Sequence, residues 1–269
     1  MFTIYINDLV DNIGSSVRLF ADDTVVYKKV ATSKDSDVLQ EDLQRINEWC
    51  GSWQLSLNVE KCNIMRIHRG RNPLQYDYAI AGKSLEAVTT VKYLGVTIRS
   101  DLKWNDHIKQ IVGKAGARLR FIGRILKKCN SSTKEVAYKT LVRPILEYCS
   151  SVWDPYQVGL IEEIDMIQRR AARFVMGTFS RRESVTEMLN KLQWQTLQER
   201  RYTIRRGLLS KFRESTFREE MGNILLPPTY ISRNDHKEKI REMRANTETY
   251  KQSFFPRTVR EWNREGGSR

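Results

Sequence analysis

Two β-branched and aromatic runs flank a short acidic centre in Val17-Arg-Leu-Phe-Ala-Asp-Asp-Thr-Val-Val-Tyr-Lys-Lys-Val30, a pattern that predicts a β-hairpin. Ahead of it, Met1 to Leu9 is apolar without a capping or turn residue and is read as the tail of an element whose beginning is absent. After it, Leu39, Leu43, Ile46, Cys50 and Trp53 alternate at spacings of four and three, which puts them on one face of a helix over 36–53. Asp35 or Ser36 suits its N-cap. Short strands are expected at 62–68, 75–80 and 91–98, with turns at Arg69-Gly-Arg-Asn-Pro73 and Ala81-Gly-Lys83.

From Trp104 the pattern changes to long helices. Ile108, Ile111, Val112, Ala115, Leu119, Ile122 and Leu126 form one stripe over 104–128. A second helix starts at Ser132, where Ser132 and Glu135 make a capping-box pattern, and is interrupted at Pro144. Further helices are expected at 157–176, 183–192 and 194–214. Past Arg218 the periodicity fades, Pro227-Pro228 breaks the chain, and 232–252 reads as a loose helix or linker. Phe254, Phe255, Pro256 and Trp262 close the chain as an aromatic cluster suited to docking on the helices. The expected fold class is α+β: an α+β portion over 1–100, an all-α portion over 101–215 and a polar, partly disordered tail over 216–269.

Composition adds a sign and a compartment. Of 269 residues, 46 are Lys or Arg and 32 are Asp or Glu, a net charge of +14 with a pI near 9.7. A surplus of this size attracts a polyanion, and nucleic acid is the usual one. Apolar residues at 40% are too many for a wholly disordered chain. No apolar run approaches the roughly 18 residues of a membrane span, so no membrane partner is expected. The first residues lack the features of a signal peptide, and the protein is read as intracellular, with cytoplasm and nucleus both open. Cys50, Cys62, Cys129 and Cys149 form no CxxC pair, and His68, His107 and His236 are scattered, so free thiols are expected rather than a zinc site.

The sharpest chemistry is Asp22-Asp23. Asp favours turns, yet two adjacent carboxylates repel each other unless a cation neutralises them. Mg²⁺ is suited to that task, because it binds through one or two carboxylates plus substrate phosphates. The second signal is the helix over 104–128, which carries Lys109, Lys114, Arg118, Arg120, Arg124, Lys127 and Lys128 with Asp106 as its sole acid. Solvated faces normally mix signs, so this bias points to phosphate contact. Gln168-Arg-Arg-Ala-Ala-Arg173 and Arg181-Arg182 add positive charge, whereas Arg200-Arg201 and Arg205-Arg206 are placed on the exposed flank of an amphipathic helix.

Phe20-Ala21-Asp22-Asp23 resembles the aromatic-Ala-Asp-Asp box of reverse transcriptases. Ile4-Tyr-Ile-Asn-Asp-Leu9 followed by that box resembles the corresponding stretch of non-LTR (LINE-type, jockey-like) retrotransposon enzymes. Leu55-Ser-Leu-Asn-Val-Glu-Lys61 is similar to their next motif, and Tyr93-Leu94-Gly95-Val96 to the primer grip after it. Leu102-Lys-Trp104 with His107-Ile108, Tyr148-Cys-Ser-Ser-Val-Trp153, Ile167 to Arg173, and Ser253 to Thr258 with Trp262-Asn263 also fit the family.

The resemblance implies a partial reverse-transcriptase palm followed by a helical thumb-like region, taken from an RNA-directed DNA polymerase. It implies two Mg²⁺ ions acting on a primer 3′-end, with an RNA template, a DNA primer and deoxynucleotides as partners. Asp22 and Asp23 would hold the ions, Phe20 and Ala21 would shape the floor under the growing end, and Lys61 would stand near the departing pyrophosphate. Tyr93, Leu94 and Gly95 would hold the primer, and Lys109, Lys114, Arg118, Arg120 and Arg124 the duplex. The family also uses a further metal-binding aspartate and fingers residues upstream, which Asp8 and Asp11 do not match. The chain alone is therefore expected to be inactive without an upstream reverse-transcriptase half. A rival reading is a non-catalytic nucleic-acid-binding module with the acidic pair as a relic, and another is a non-functional element remnant.

Overall fold

Strands β1 (Ser16–Phe20) and β2 (Asp23–Tyr27) pair antiparallel in the expected hairpin, with Phe20 opposite Asp23 and Ser16 opposite Tyr27. The computed structural model describes residues 6–70, 74–178, 180, 183–214, 221–232 and 235–265. These divide into two compact units: residues 1–93 with 98–102, and residues 94–97 with 103–269.

In the first unit, helix α1 (Ser33–Ser52) is the platform. Its cap is Thr32 rather than Asp35 or Ser36. Thr32 and Asp35 form the reciprocal capping box; the Asp35 carboxylate accepts from the Ala31 backbone at 3.0 Å and the Thr32 backbone at 2.8 Å, and these bonds, Ala31 first, lower its pKa. The apolar face of α1 delivers Ile46 and Cys50 to a cluster with Ile6 and Leu9. Ile13, Leu19, Val26, Trp49 and Leu57 pack against that cluster.

The remaining strands are shorter than the sequence pattern suggests: β3 (Asn63–Ile64), β4 (Ala79–Ile80), β5 (Lys83–Ser84), β6 (Glu86–Ala87), β7 (Thr90–Tyr93) and β8 (Val96–Arg99). β3 pairs with β6 in parallel, β4 with β5 antiparallel, and β7 with β8. Side-chain bonds replace ladder bonds here. The Gln40 amide both donates to the Ala79 carbonyl (2.8 Å) and accepts the Ala79 N–H (2.9 Å), fastening β4 to α1.

The second unit is helical: α2 (Asn105–Ile125), α3 (Ser131–Leu141), α4 (Arg143–Glu147), α5 (Ser150–Trp153), α6 (Val158–Met176), α7 (Val185–Lys191), α8 (Leu197–Glu214), α9 (Glu248–Lys251) and α10 (Phe254–Glu265). α2 buries Ile108, Ile111, Ala115, Leu119 and Ile122 and packs on α6, whose buried residues include Ile164, Ile167 and Ala171. The two helices meet at Gly116, where a Cβ would stand in ordinary contact with the Ile167 side chain at 3.5 Å. The cap of α3 is Asn130, whose side chain accepts the Thr133 N–H at 2.8 Å, and not Ser132. Glu135 instead accepts from the Trp194 indole at 2.9 Å. Pro144 opens α4, where its missing N–H costs nothing.

One expectation fails outright. Arg201 and Arg205 do not lie on an exposed flank of α8; they are 0% and 2% exposed. Asp154 accepts from Arg201 Nε (2.7 Å) and Arg205 Nε (2.9 Å), and Arg205 Nη1 also donates to Glu261 (2.8 Å). Helical periodicity puts arginine outside by default, and only a carboxylate far along the chain reverses that. The aromatic cluster docks as expected: Val259 and Trp262 are buried with Leu209 and Ile240, and the Asn263 amide exchanges bonds with the Ile240 backbone at 3.0 and 2.7 Å. All four cysteines are free. No helix among the described residues is long and apolar enough to cross a membrane.

Candidate active site

The turn between β1 and β2 is two residues long, Ala21 and Asp22, and Ala21 sits in left-handed backbone at φ 52°. Such a turn matches the twist of paired strands but favours glycine, so alanine there carries strain. Residues opposite each other share a face of the ribbon. Leu19 and Val26 face the α1 cluster, which leaves Phe20 and Asp23 together on the open face. Phe20 is 61% exposed, and Asp22 and Asp23 are exposed beside it. Neither carboxylate meets a cationic side chain among the described residues, nor does any group of three or more potential metal ligands form there. The pair thus offers hard oxygen donors without a competing partner, which fits Mg²⁺ completed by phosphate oxygens and water.

Lys61 ends a one-turn helix, Val59–Lys61, and is exposed. The segment before it docks through Leu57 on the same apolar cluster that seats Leu19 and Val26. The acidic ribbon and the lysine loop therefore share one foundation on α1.

A residue not anticipated from the pattern fixes that ribbon. The buried Asp42 carboxylate accepts the backbone N–H groups of Gly14 (3.0 Å) and Ser15 (2.7 Å), just ahead of β1, and pairs with Arg45 at 2.9 Å. Burial pushes its carboxyl up, but the bonds from Ser15 and Gly14 and the Arg45 charge outweigh that and hold it below the ordinary value. The signal was present: an acid lying between Leu39 and Ile46 on the apolar side of an amphipathic helix needs donors.

In the second unit, Leu94 and Gly95 form the turn between β7 and β8, both left-handed at φ 45° and 83°. Gly95 is thus a turn residue rather than a strand residue or a bulge. The Tyr148 hydroxyl donates to the Leu94 carbonyl at 3.0 Å, and a Cβ on Gly95 would come within 3.1 Å of the Tyr148 ring. On β8, the Thr97 N–H donates to His107 Nδ1 at 3.2 Å. Burial, and then the Lys114 charge, lower the His107 pKa, so the ring is held as a neutral acceptor.

The five basic residues predicted on α2, Lys109, Lys114, Arg118, Arg120 and Arg124, are all exposed. They do not make one row. At about 100° per residue, Lys109, Arg120 and Arg124 fall within about 60° of arc, whereas Lys114 and Arg118 lie about 140° and 180° round from Lys109. The charge surplus is equally uneven along the chain: residues 1–93 hold 11 basic and 12 acidic side chains, residues 94–269 hold 35 and 20. Arg181 and Arg182 lie outside the described residues.

Known proteins resemble this chain over part of its length. The family described as reverse transcriptase (RNA-dependent DNA polymerase) matches residues 1–98, the span carrying the acidic turn, Lys61 and the Leu94-Gly95 turn. The chain is 28% identical over 178 residues to the RNA-directed DNA polymerase from mobile element jockey of Drosophila melanogaster, 62% of this chain and 19% of that protein. Over residues 1–98 the chain is similar to reverse transcriptases, and its listed relatives come from mobile elements and transposons. Its similarity to the probable RNA-directed DNA polymerase from transposon BS of the same fly is 26% over 161 residues, 58% of this chain and 18% of that one. The Pol polyprotein from type-1 retrotransposable element R1 2 of Nasonia vitripennis is 23% identical over 172 residues, 61% of this chain and 42% of that one. The chain spans about a fifth of the length of the fly relatives, 18–19%. No solved structure matches it.

Proposed function

We propose that this chain supplies the later palm, primer grip and thumb of a non-LTR retrotransposon RNA-directed DNA polymerase, with residues 1–100 as palm, 101–215 as thumb and 216–269 as tail. The observation that carries the proposal is the placing of Asp22 and Asp23 at a strained two-residue turn, exposed, beside Phe20, with no cationic side chain against them among the described residues. Two adjacent exposed carboxylates presented at a strained turn are suited to a divalent cation.

In this reading Asp22 and Asp23 hold Mg²⁺, which when bound stabilises charge on the attacking and leaving oxygens of nucleotidyl transfer to a primer 3′-end. Phe20 and Ala21 support the terminal nucleotide from the open face of the ribbon. Lys61 stands where a cation favours the departing pyrophosphate. Tyr93, Leu94 and Gly95 contact the primer strand, and the exposed bases of α2 contact duplex phosphates, fixing position without reading sequence. The partners are an RNA template, a DNA primer, deoxynucleotides and an upstream reverse-transcriptase half.

The acidic pair stands without a third ligand group among the described residues, and in this reading the 269-residue polypeptide alone is expected to give no primer extension. The test adds the upstream part of a jockey-like reverse transcriptase in trans. Mg²⁺-dependent extension that appears on mixing, and disappears with Asp22→Asn, supports the reading. Extension unaffected by Asp22→Asn, or duplex binding with no activity that can be complemented, favours the binding-module reading instead.

A further inference from the structure

We infer that Tyr148 is a positioning residue for the Leu94-Gly95 turn, setting how that turn meets a primer strand; this rests on the proposed primer-gripping role of the turn. A leucine at φ 45° is an uncommon conformation that persists only where surrounding structure imposes it. Nothing in the two-residue turn itself does so. Tyr148 does, by two contacts. Its hydroxyl holds the Leu94 carbonyl (3.0 Å), and its ring fills the space beside Gly95, where a side chain would collide at 3.1 Å.

Tyr148 is fixed in its turn. The buried Trp153 indole donates to the Tyr148 carbonyl at 2.8 Å, and Cys149 next to it is left-handed at φ 51°, where the chain turns into α5. The Trp153 ring lies 5.3 Å from His107, and His107 accepts the Thr97 N–H on β8. Leu94, Tyr148, Trp153, His107 and Thr97 close a circuit that holds both sides of the ribbon's end. Trp153 and His107 are buried and act only as supports. Tyr148 is 56% exposed, so its ring edge remains on the surface beside the turn it fixes. A tyrosine needed only for packing would be buried; this one spends its hydroxyl on a backbone carbonyl that carries no other side-chain bond among the described residues.

The test uses the full chain carrying p-azidophenylalanine in place of Tyr93, irradiated with a saturating labelled primer–template duplex, and a second chain carrying the same probe in place of Phe121 on α2. The proposal expects the Tyr93 probe to crosslink to the primer strand and Tyr148→Phe to lower that yield about five-fold, the effect of losing one hydrogen bond. The Phe121 yield stays as it was. Tyr148→Phe with an unchanged Tyr93 yield overturns the positioning role, as does an equal fall at both probes, which marks a general loss of fold. No crosslink from Tyr93 in the unmutated background overturns the primer-grip reading itself, and the inference with it.

Discussion

The Asp154 carboxylate binds Arg205 through a buried bond of 2.9 Å, and its other oxygen binds Arg201 at 2.7 Å. Arg257 approaches the same carboxylate at 3.5 Å and donates to the Asp154 and Pro155 carbonyls, so α10 is tied to α5 and α8 at one point. Removing the acid takes from buried Arg201 its hydrogen-bonded carboxylate and leaves Arg205 with Glu261 as its carboxylate partner. Asp154→Ala is expected to cost about 3–5 kcal/mol of stability in the helical unit. Glu261→Gln, at the accessible edge, is expected to cost under about 1 kcal/mol. Urea unfolding followed by tryptophan fluorescence reads both.

Asp42 makes stability depend on acidity. Its pKa is lower in the folded unit than in the unfolded chain, so its contribution is present above the ordinary carboxylate pKa of about 3.9 and is lost as pH falls through the folded value. Asp42→Ala is expected to cost about 2–3 kcal/mol at pH 7, because two backbone donors lose their acceptor. Thermal midpoints of the two proteins should converge as pH falls below about 4. A difference that stays constant down to pH 2 means the carboxylate charge is not what holds Gly14 and Ser15.

The strain at Ala21 is a separate handle on the acidic turn. Valine tolerates left-handed backbone worse than alanine, so Ala21→Val is expected to destabilise the ribbon by about 1–2 kcal/mol. Ala21→Gly should not destabilise it. Hydrogen exchange of the β1 and β2 amides measures both.

The arc positions on α2 predict that its bases are not equivalent. Lys109→Ala, Arg120→Ala and Arg124→Ala, on one flank, should each flatten the salt dependence of duplex binding by about 0.9 in the log–log slope if that flank meets the phosphates. Lys114→Ala and Arg118→Ala then leave the slope nearly unchanged. Equal losses for all five would mean that the duplex wraps both flanks.

Much of this was legible in the chain. Alternation of Val17, Leu19 and Val25-Val26 about an acidic centre fixes the ribbon, and 3.6-residue periodicity fixes α1, α2 and α6. What escaped was non-local. Gln40 and Asp42 serve backbone groups distant in sequence, and the Arg201 and Arg205 side chains are inside only because Asp154 and Glu261 meet them there. The strand over 91–98 broke at Leu94-Gly95 because a leucine gives no local sign of a left-handed turn. The resemblance carried the motif around Tyr148 and Trp153 as a family feature, but only the structure assigns those side chains their bonds.

The account stands on the acidic pair gathering a divalent ion at a nucleic-acid end. Replacing Mg²⁺ by Fe²⁺ and adding ascorbate and peroxide generates hydroxyl radicals at the bound ion, which cut the nearest backbone. With primer–template and deoxynucleotide present, cleavage concentrated around residues 20–25, and abolished by Asp22→Asn with Asp23→Asn, is the predicted result. Cleavage elsewhere in the chain, or a pattern that the double substitution leaves unchanged, contradicts it.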